Sequence, residues 1–198
     1  MLDAGRTLIT ERGYVRTTMR AIAAAAGVAV ETVYLHFRSK PALLKTLLDV
    51  DLGGQGPVPV AGRDWVLRVL AQPDAATTLA VAAEKITTIY VRLVPLLLAV
   101  RAAAQADTVA AEIWTARKTE RLEGMGEFAR HLVDTGELRA ELSVVEARDR
   151  LFVLTSPETY GSLVLELGWT PEHYTDWLTG VLVQQLLAPS PTAGTTVD

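Results

Sequence analysis

The 198 residues are 49% hydrophobic and 21% charged, enough apolar side chain for a globular core in one large domain or one small and one medium domain. The absence of cysteine excludes disulfides, thiolate metal sites and cysteine nucleophiles, and His36, His131 and His173 lie too far apart to show metal-ligand spacing. The net charge of −4 is unevenly divided: residues 1–51 carry seven Lys/Arg against five Asp/Glu, while the rest of the chain is at −6, a mildly basic head on an acidic body.

In chain order, Asp3 to Arg12 reads as a helix ended by Gly13, which is expected to supply a left-handed cap. Thr17 or Thr18 can cap a second helix, Met19 to Ala25, which Gly27 breaks. A short helix follows over about Val30 to Leu35. Ser39 then caps another, with Pro41 in its first turn and its end near Asp51. The run Gly53 to Gly62 holds four glycines and two prolines and cannot be regular helix, so the domain boundary is placed there. Beyond it come Asp64 to Ala71, then Asp74 to about Ala104, where Pro95 is expected to kink or split the helix. Thr108 to Thr135 is closed by Gly136, Val144 to Leu167 contains Pro157, and Thr170-Pro171-Glu172 opens a last helix to about Leu187. The Pro-, Thr- and Ser-rich tail, residues 189–198, is expected to be disordered. No period-2 run of strand length is present, and the fold class expected is all-α. The longest apolar run, Leu93 to Val100, is far shorter than the ~20 residues that span a bilayer, and the start has no basic region followed by an apolar one, so a soluble cytoplasmic protein without membrane contact is expected.

Chemistry concentrates in Thr17 to Phe37. Two short helices are expected to meet at a tight turn containing Gly27; Ala23, Ala24 and Ala26 let them cross closely, and Ile22, Val28, Val33 and Phe37 can form the wedge of core that fixes their angle. This is the helix-turn-helix pattern, whose second helix can lie in the major groove with its N-terminal side chains toward base edges. At these residues the chain resembles the TetR/AcrR family of transcriptional regulators. The resemblance rests on Glu11 to Tyr14, on Thr17 to Val28, and on Thr32, Val33, Tyr34, His36, Phe37, Ser39, Lys40 and Leu43. The remainder is similar more loosely, through its helix pattern and Trp169 to Tyr174.

The resemblance implies a three-helix helix-turn-helix domain over 1–51, a linker over 52–63, and a helical ligand-binding and dimerisation domain over 64–188. It also implies roles. Thr17, Tyr34, His36 and Lys40 would meet phosphates, with Arg20 beside them, and Val28, Ala29, Val30, Glu31 and Thr32 would face bases. A thymine methyl could pack on Val30, and Glu31 could accept from a cytosine amine. The expected partners are double-stranded operator DNA, a small-molecule effector and a second copy of the chain; no cofactor or metal is expected. Effector candidates lie on the long middle helices: Trp65, Ile89, Leu93, Leu97, Trp114, Met125, Phe128, Phe152 and Tyr160 as apolar lining, with Arg101 and Thr155 as polar anchors. The dimer is expected through the last two helices, on Tyr174, Trp177, Leu178, Val181, Leu182, Gln185 and Leu186 together with Ala147, Leu151, Leu154, Leu163 and Leu167; intramolecular packing is the other use of that stripe.

No nucleophile signature, phosphate loop or metal spacing points to an enzyme. The expected function is a repressor released from its operator by a ligand. The alternative is a helical ligand-binding protein with degenerate DNA binding, which Glu31 motivates because a carboxylate in the groove repels phosphate.

Overall fold

The computed structural model describes residues 1–54 and 60–189. Its helices are α1 (Leu2–Arg12), α2 (Met19–Ala26), α3 (Val30–Phe37), α4 (Lys40–Asp51), α5 (Asp64–Leu70), α6 (Ala75–Ala103), α7 (Thr108–Asp134), α8 (Val144–Leu154), α9 (Pro157–Tyr160) and α10 (Pro171–Leu186). A 3-10 turn spans Val60–Gly62, and α9 continues into a π-helical turn, Gly161–Glu166. β-type pairing amounts, among the described residues, to one isolated antiparallel bridge between Leu138 and Leu187, so the all-α reading stands. Gln55 to Pro59 of the expected linker and residues 190–198 of the expected tail lie outside the described residues.

Short hydroxyl and carboxylate side chains start most of these helices by accepting an orphan backbone N–H. Thr18 accepts from Ala21, Ser39 from Ala42, Asp74 from Thr77, Asp107 from Ala110 and Thr170 from His173. At α8 the cap is reciprocal: Ser143 Oγ accepts from the Glu146 N–H while the Glu146 carboxylate accepts from the Ser143 N–H.

Three expectations fail at particular residues. Gly13 has positive φ, but at φ 82° and ψ 157° it leaves α1 in an extended turn rather than a left-handed helical cap. Pro95 does not split α6, which runs as one helix for 29 residues, so of the two outcomes expected there it is splitting that fails. The proline removes one N–H, yet Leu93, Val94, Leu96 and Leu97 around it are all buried, and that packing holds the helix through the lost bond. Val144 to Leu167 is not one helix. Proline disfavours helical backbone at the residue before it; Ser156 is extended (φ −72°, ψ 147°), ends α8 at Leu154, and caps α9 by accepting from the Thr159 N–H at 3.0 Å.

Helix α6 is the axis of the molecule. It packs on α1 and α4 at one end and on α5, α7, α9 and α10 along its length. It is also long and apolar enough to cross a membrane by length and composition, with mean hydropathy 1.6 over its best window. Half of that window is buried by neighbouring helices, as in the core helix of a folded domain. The buried faces of α1 (Leu8, Ile9), α2 (Met19, Ile22, Ala23), α3 (Val33) and α4 (Leu43, Leu44, Leu47, Leu48) join the α6 face in one continuous core. Tyr174, Leu178, Leu182 and Leu186 of α10, with Ala147 and Leu151 of α8, belong to that core inside the protomer. Of the stripe read as a dimer surface, Trp177, Val181, Gln185, Leu154 and Leu163 stay partly exposed and Leu167 is exposed.

Candidate DNA-binding face and effector cavities

The turn between α2 and α3 is made by Gly27, at φ 66° and ψ 31°. Its N–H closes on Ala24 and the Val28 N–H reaches back to the Ala23 carbonyl at 3.1 Å, which satisfies the last carbonyls of α2. Helix α3 is about 12 Å long at eight residues and is seated chiefly through Val33, the residue it buries fully, with Val30 and Phe37 packed partly against the core. Val28, Ala29, Glu31, Tyr34, Leu35 and His36 face outward, and Arg20 of α2 is exposed. The start of α3, at Ala29, has no side-chain cap, so its first N–H groups remain available.

The residues read as phosphate contacts differ in their surroundings. Tyr34 is exposed. The His36 Nδ1 lies 2.8 Å from the Thr32 carbonyl at the surface. Thr17 is buried, and its hydroxyl donates to the Gly13 carbonyl at 2.9 Å, fastening the turn into α2. Lys40 donates to the Tyr14 carbonyl at 2.9 Å and stands 4.1 Å above the Tyr14 ring; partial burial lowers its pKa, opposed by the charge of Asp107. Between α3 and α4, Arg38 has φ 57° and ψ −37°, with the Ser39 N–H donating to the Phe37 carbonyl. That is a γ-turn of the strained kind, and Arg38 is the only non-glycine residue with positive φ among those described.

The end of α4 is tied to its neighbours by charge. Asp51 is buried, paired with Arg6 of α1 and 3.7 Å from Arg92 of α6. Asp49 accepts from Arg117 of α7 at 2.9 Å and lies 3.9 Å from Arg63.

The effector candidates divide between two cavities. Leu97, Trp114 and Phe152 line one of 240 Å³ between α6, α7 and the α8–α9 junction. Trp65, Met125, Phe128 and Thr155 line one of 130 Å³ between α5, α6, α7 and α10. Ile89, Leu93 and Tyr160 line neither and are packed in the core. Arg101 lines neither; half exposed, it stands 3.7 Å from Glu158. The Thr155 hydroxyl is spent locally on the Leu151 carbonyl at 2.7 Å, and its own carbonyl accepts from the Tyr90 hydroxyl at 2.5 Å. Burial pushes the Tyr90 hydroxyl up to about 12.

Sequence reasoning missed the cations of the larger cavity: Arg117, Lys118 and Arg121. Arg121 donates to the Phe152 carbonyl at 2.7 Å and lies 3.7 Å over the Phe152 ring, and burial lowers its pKa. Their i, i+1, i+4 spacing puts them on one side of α7, but on a charged helix such spacing ordinarily marks a solvated face.

Residues 1–47 match the family model described as bacterial regulatory proteins, tetR family. No curated protein matches the chain. Among solved structures, the fatty acid degradation regulator FadR from Bacillus halodurans superposes with TM-score 0.73 at 20% identity, covering 92% of this chain and 95% of that one. FadR from Bacillus subtilis, solved in complex with stearoyl-CoA, gives 0.72 at 21%, over 92% and 95%. NalD, the secondary repressor of the MexAB-OprM multidrug efflux pump in Pseudomonas aeruginosa, gives 0.67 at 18%, over 94% and 94%. Residues 1–47 thus match the tetR family of bacterial regulatory proteins, and the helices that follow share the fold of these solved structures.

Proposed function

We propose that this protein is a DNA-binding transcriptional repressor of the cytoplasm, released from its operator by a small molecule bound among α5 to α10. The observation that carries the reading is the seating of α3: anchored through Val33 in the core it shares with α1, α2 and α4, it turns Val28, Ala29, Glu31 and Tyr34 outward. The match of residues 1–47 to the tetR model supports the same reading, and so do the repressor role in the description of NalD and the ligand held by FadR. In this reading residues 1–51 are the DNA-binding domain, 52–63 the linker and 64–188 the effector and dimerisation domain. Val28 to Thr32 read bases, while Arg20, Tyr34, His36 and Lys40 meet the backbone. A short recognition helix reads few bases, so the working unit is a homodimer that places two such helices roughly 34–36 Å apart or a multiple of that. Its interface uses α8 and α10 through the partly exposed Leu154, Trp177 and Val181, with the exposed Leu167 from the turn between them, and not through the residues already buried in the protomer.

The test is a mobility shift on a duplex from upstream of the protein's own gene, at two salt concentrations. Binding that weakens with salt and is lost in both Tyr34→Ala and Arg20→Ala is expected. No binding at low salt by the folded protein would favour a helical ligand-binding protein with degenerate DNA binding.

A further inference from the structure

Lysine and arginine are seldom drawn into a protein interior without a counter-charge. The 240 Å³ cavity has three cations on its α7 side: Arg117 and Arg121, both partly buried, and Lys118, which is exposed. Among the described residues neither Arg121 nor Lys118 forms an ion pair. The acid in the lining, Glu158, stands 3.7 Å from Arg101, and its charge also acts on Arg121. Leu97, Phe152, Val153 and Pro157 face α7 across the cavity, with Ser156 and Glu158 as the polar members of that side, and Trp114 adds an aromatic ring from α7 itself. A cationic side against aromatic and aliphatic walls suits a molecule with one anionic end and a flat apolar body. The volume lies below the roughly 300–1,000 Å³ usual for ligand pockets, which favours one or two rings over a long acyl chain.

The third cation gives such a ligand a mechanical consequence. Arg117 lines the cavity, and the same guanidinium donates to Asp49 on α4 and to Glu120, each at 2.9 Å. A carboxylate in the cavity would compete with Asp49 for it and leave Asp49 with Arg63, at 3.9 Å, as its remaining ion-pair partner. Helix α4 follows directly on the strained turn that ends α3, so loss of the Arg117 tie, with the Asp51 pairs to Arg6 and Arg92 retained, loosens one of the anchors behind the recognition helix.

Resting on the regulator reading above, we propose that the 240 Å³ cavity takes a compact aromatic carboxylate, and that its carboxylate unlocks α4 by drawing Arg117 from Asp49. The probes are 1-naphthylacetate and its neutral isostere 1-naphthylacetamide, measured by calorimetry and by hydrogen exchange over residues 40–51. The acid is expected to bind at least about tenfold more tightly than the amide. Arg121→Met should remove that preference and Arg121→Lys recover part of it. Because Arg121 also braces the end of α8, Lys118→Gln, exposed on α7, serves as the milder variant and should reduce the preference. The bound acid should speed exchange in α4, and Asp49→Asn should exchange faster without the acid and show no further change with it. Equal binding of acid and amide, no binding of the acid, or bound acid that leaves α4 exchange unchanged would each overturn the proposal. None of these measurements involves DNA, so failure of operator binding would sink the regulator reading alone.

Discussion

Alanine in place of glycine should have opposite signs at Gly27 and Gly124. At Gly27 the backbone is left-handed helical, and an added Cβ would meet nothing within 4 Å. The cost is therefore conformational, about 1–2 kcal/mol for an L-residue in that region, reduced by several tenths because alanine also restricts the unfolded chain. A net loss of about 1 kcal/mol is expected. Gly124 lies inside α7, also with nothing within 4 Å of an added Cβ; there alanine should stabilise by up to about 1 kcal/mol. The two variants should thus differ by about 2 kcal/mol, or roughly 1 M in urea midpoint at a slope of about 2 kcal/mol/M, followed by far-ultraviolet circular dichroism. Gly27→Asn, which tolerates the left-handed region better, should fall between wild type and Gly27→Ala. A Gly27→Ala midpoint at or above wild type would refute the left-handed turn as the source of the effect. Destabilisation by Gly124→Ala would show that free space around the Cβ had been misjudged.

Two further outcomes follow from local geometry. Tyr90 has its pKa raised by burial from the ordinary 10 to about 12, so its contribution to stability is complete below pH 10 and is lost as pH rises toward 12, by about 3 kcal/mol; Tyr90→Phe should flatten the stability curve over that window, and parallel curves for the two proteins would count against it. Arg38→Gly should relieve the γ-turn and raise the urea midpoint by up to about 1 kcal/mol of stability, whereas a lower midpoint would mean that the turn holds no strain.

What was legible in the chain was local. Thr18, Gly27, Ser39 and Asp74 act on their own backbone within three or four residues, so the helix boundaries and the helix-turn-helix could be read directly. Pro157 was visible too, but a proline inside a helical pattern can kink a helix or restart one. Ser156 decided the outcome by offering a cap, as Ser39 does two residues before Pro41. Pro95 misled because its effect is decided by the packing of Leu93 to Leu97, which no local rule contains. The α10 stripe is ambiguous in principle, since an apolar face has the same period whether it meets its own chain or a second copy. Arg117 and Arg121 were hidden for a related reason. A cation's role depends on what stands opposite it, and Asp49 and Phe152 are far off in sequence.

Lys40 sets a condition on any mutational map of the recognition surface. Its ammonium is already engaged with the carbonyl and ring of Tyr14, on the turn between α1 and α2. An alanine there would remove a cation from the surface and a clasp from the scaffold together. Weaker DNA binding by such a variant is therefore two measurements in one number. Tyr34 and Arg20, exposed and without such a tie among the described residues, report on contact alone; a shortfall at Lys40 beyond theirs would measure how far affinity depends on keeping the turn in place.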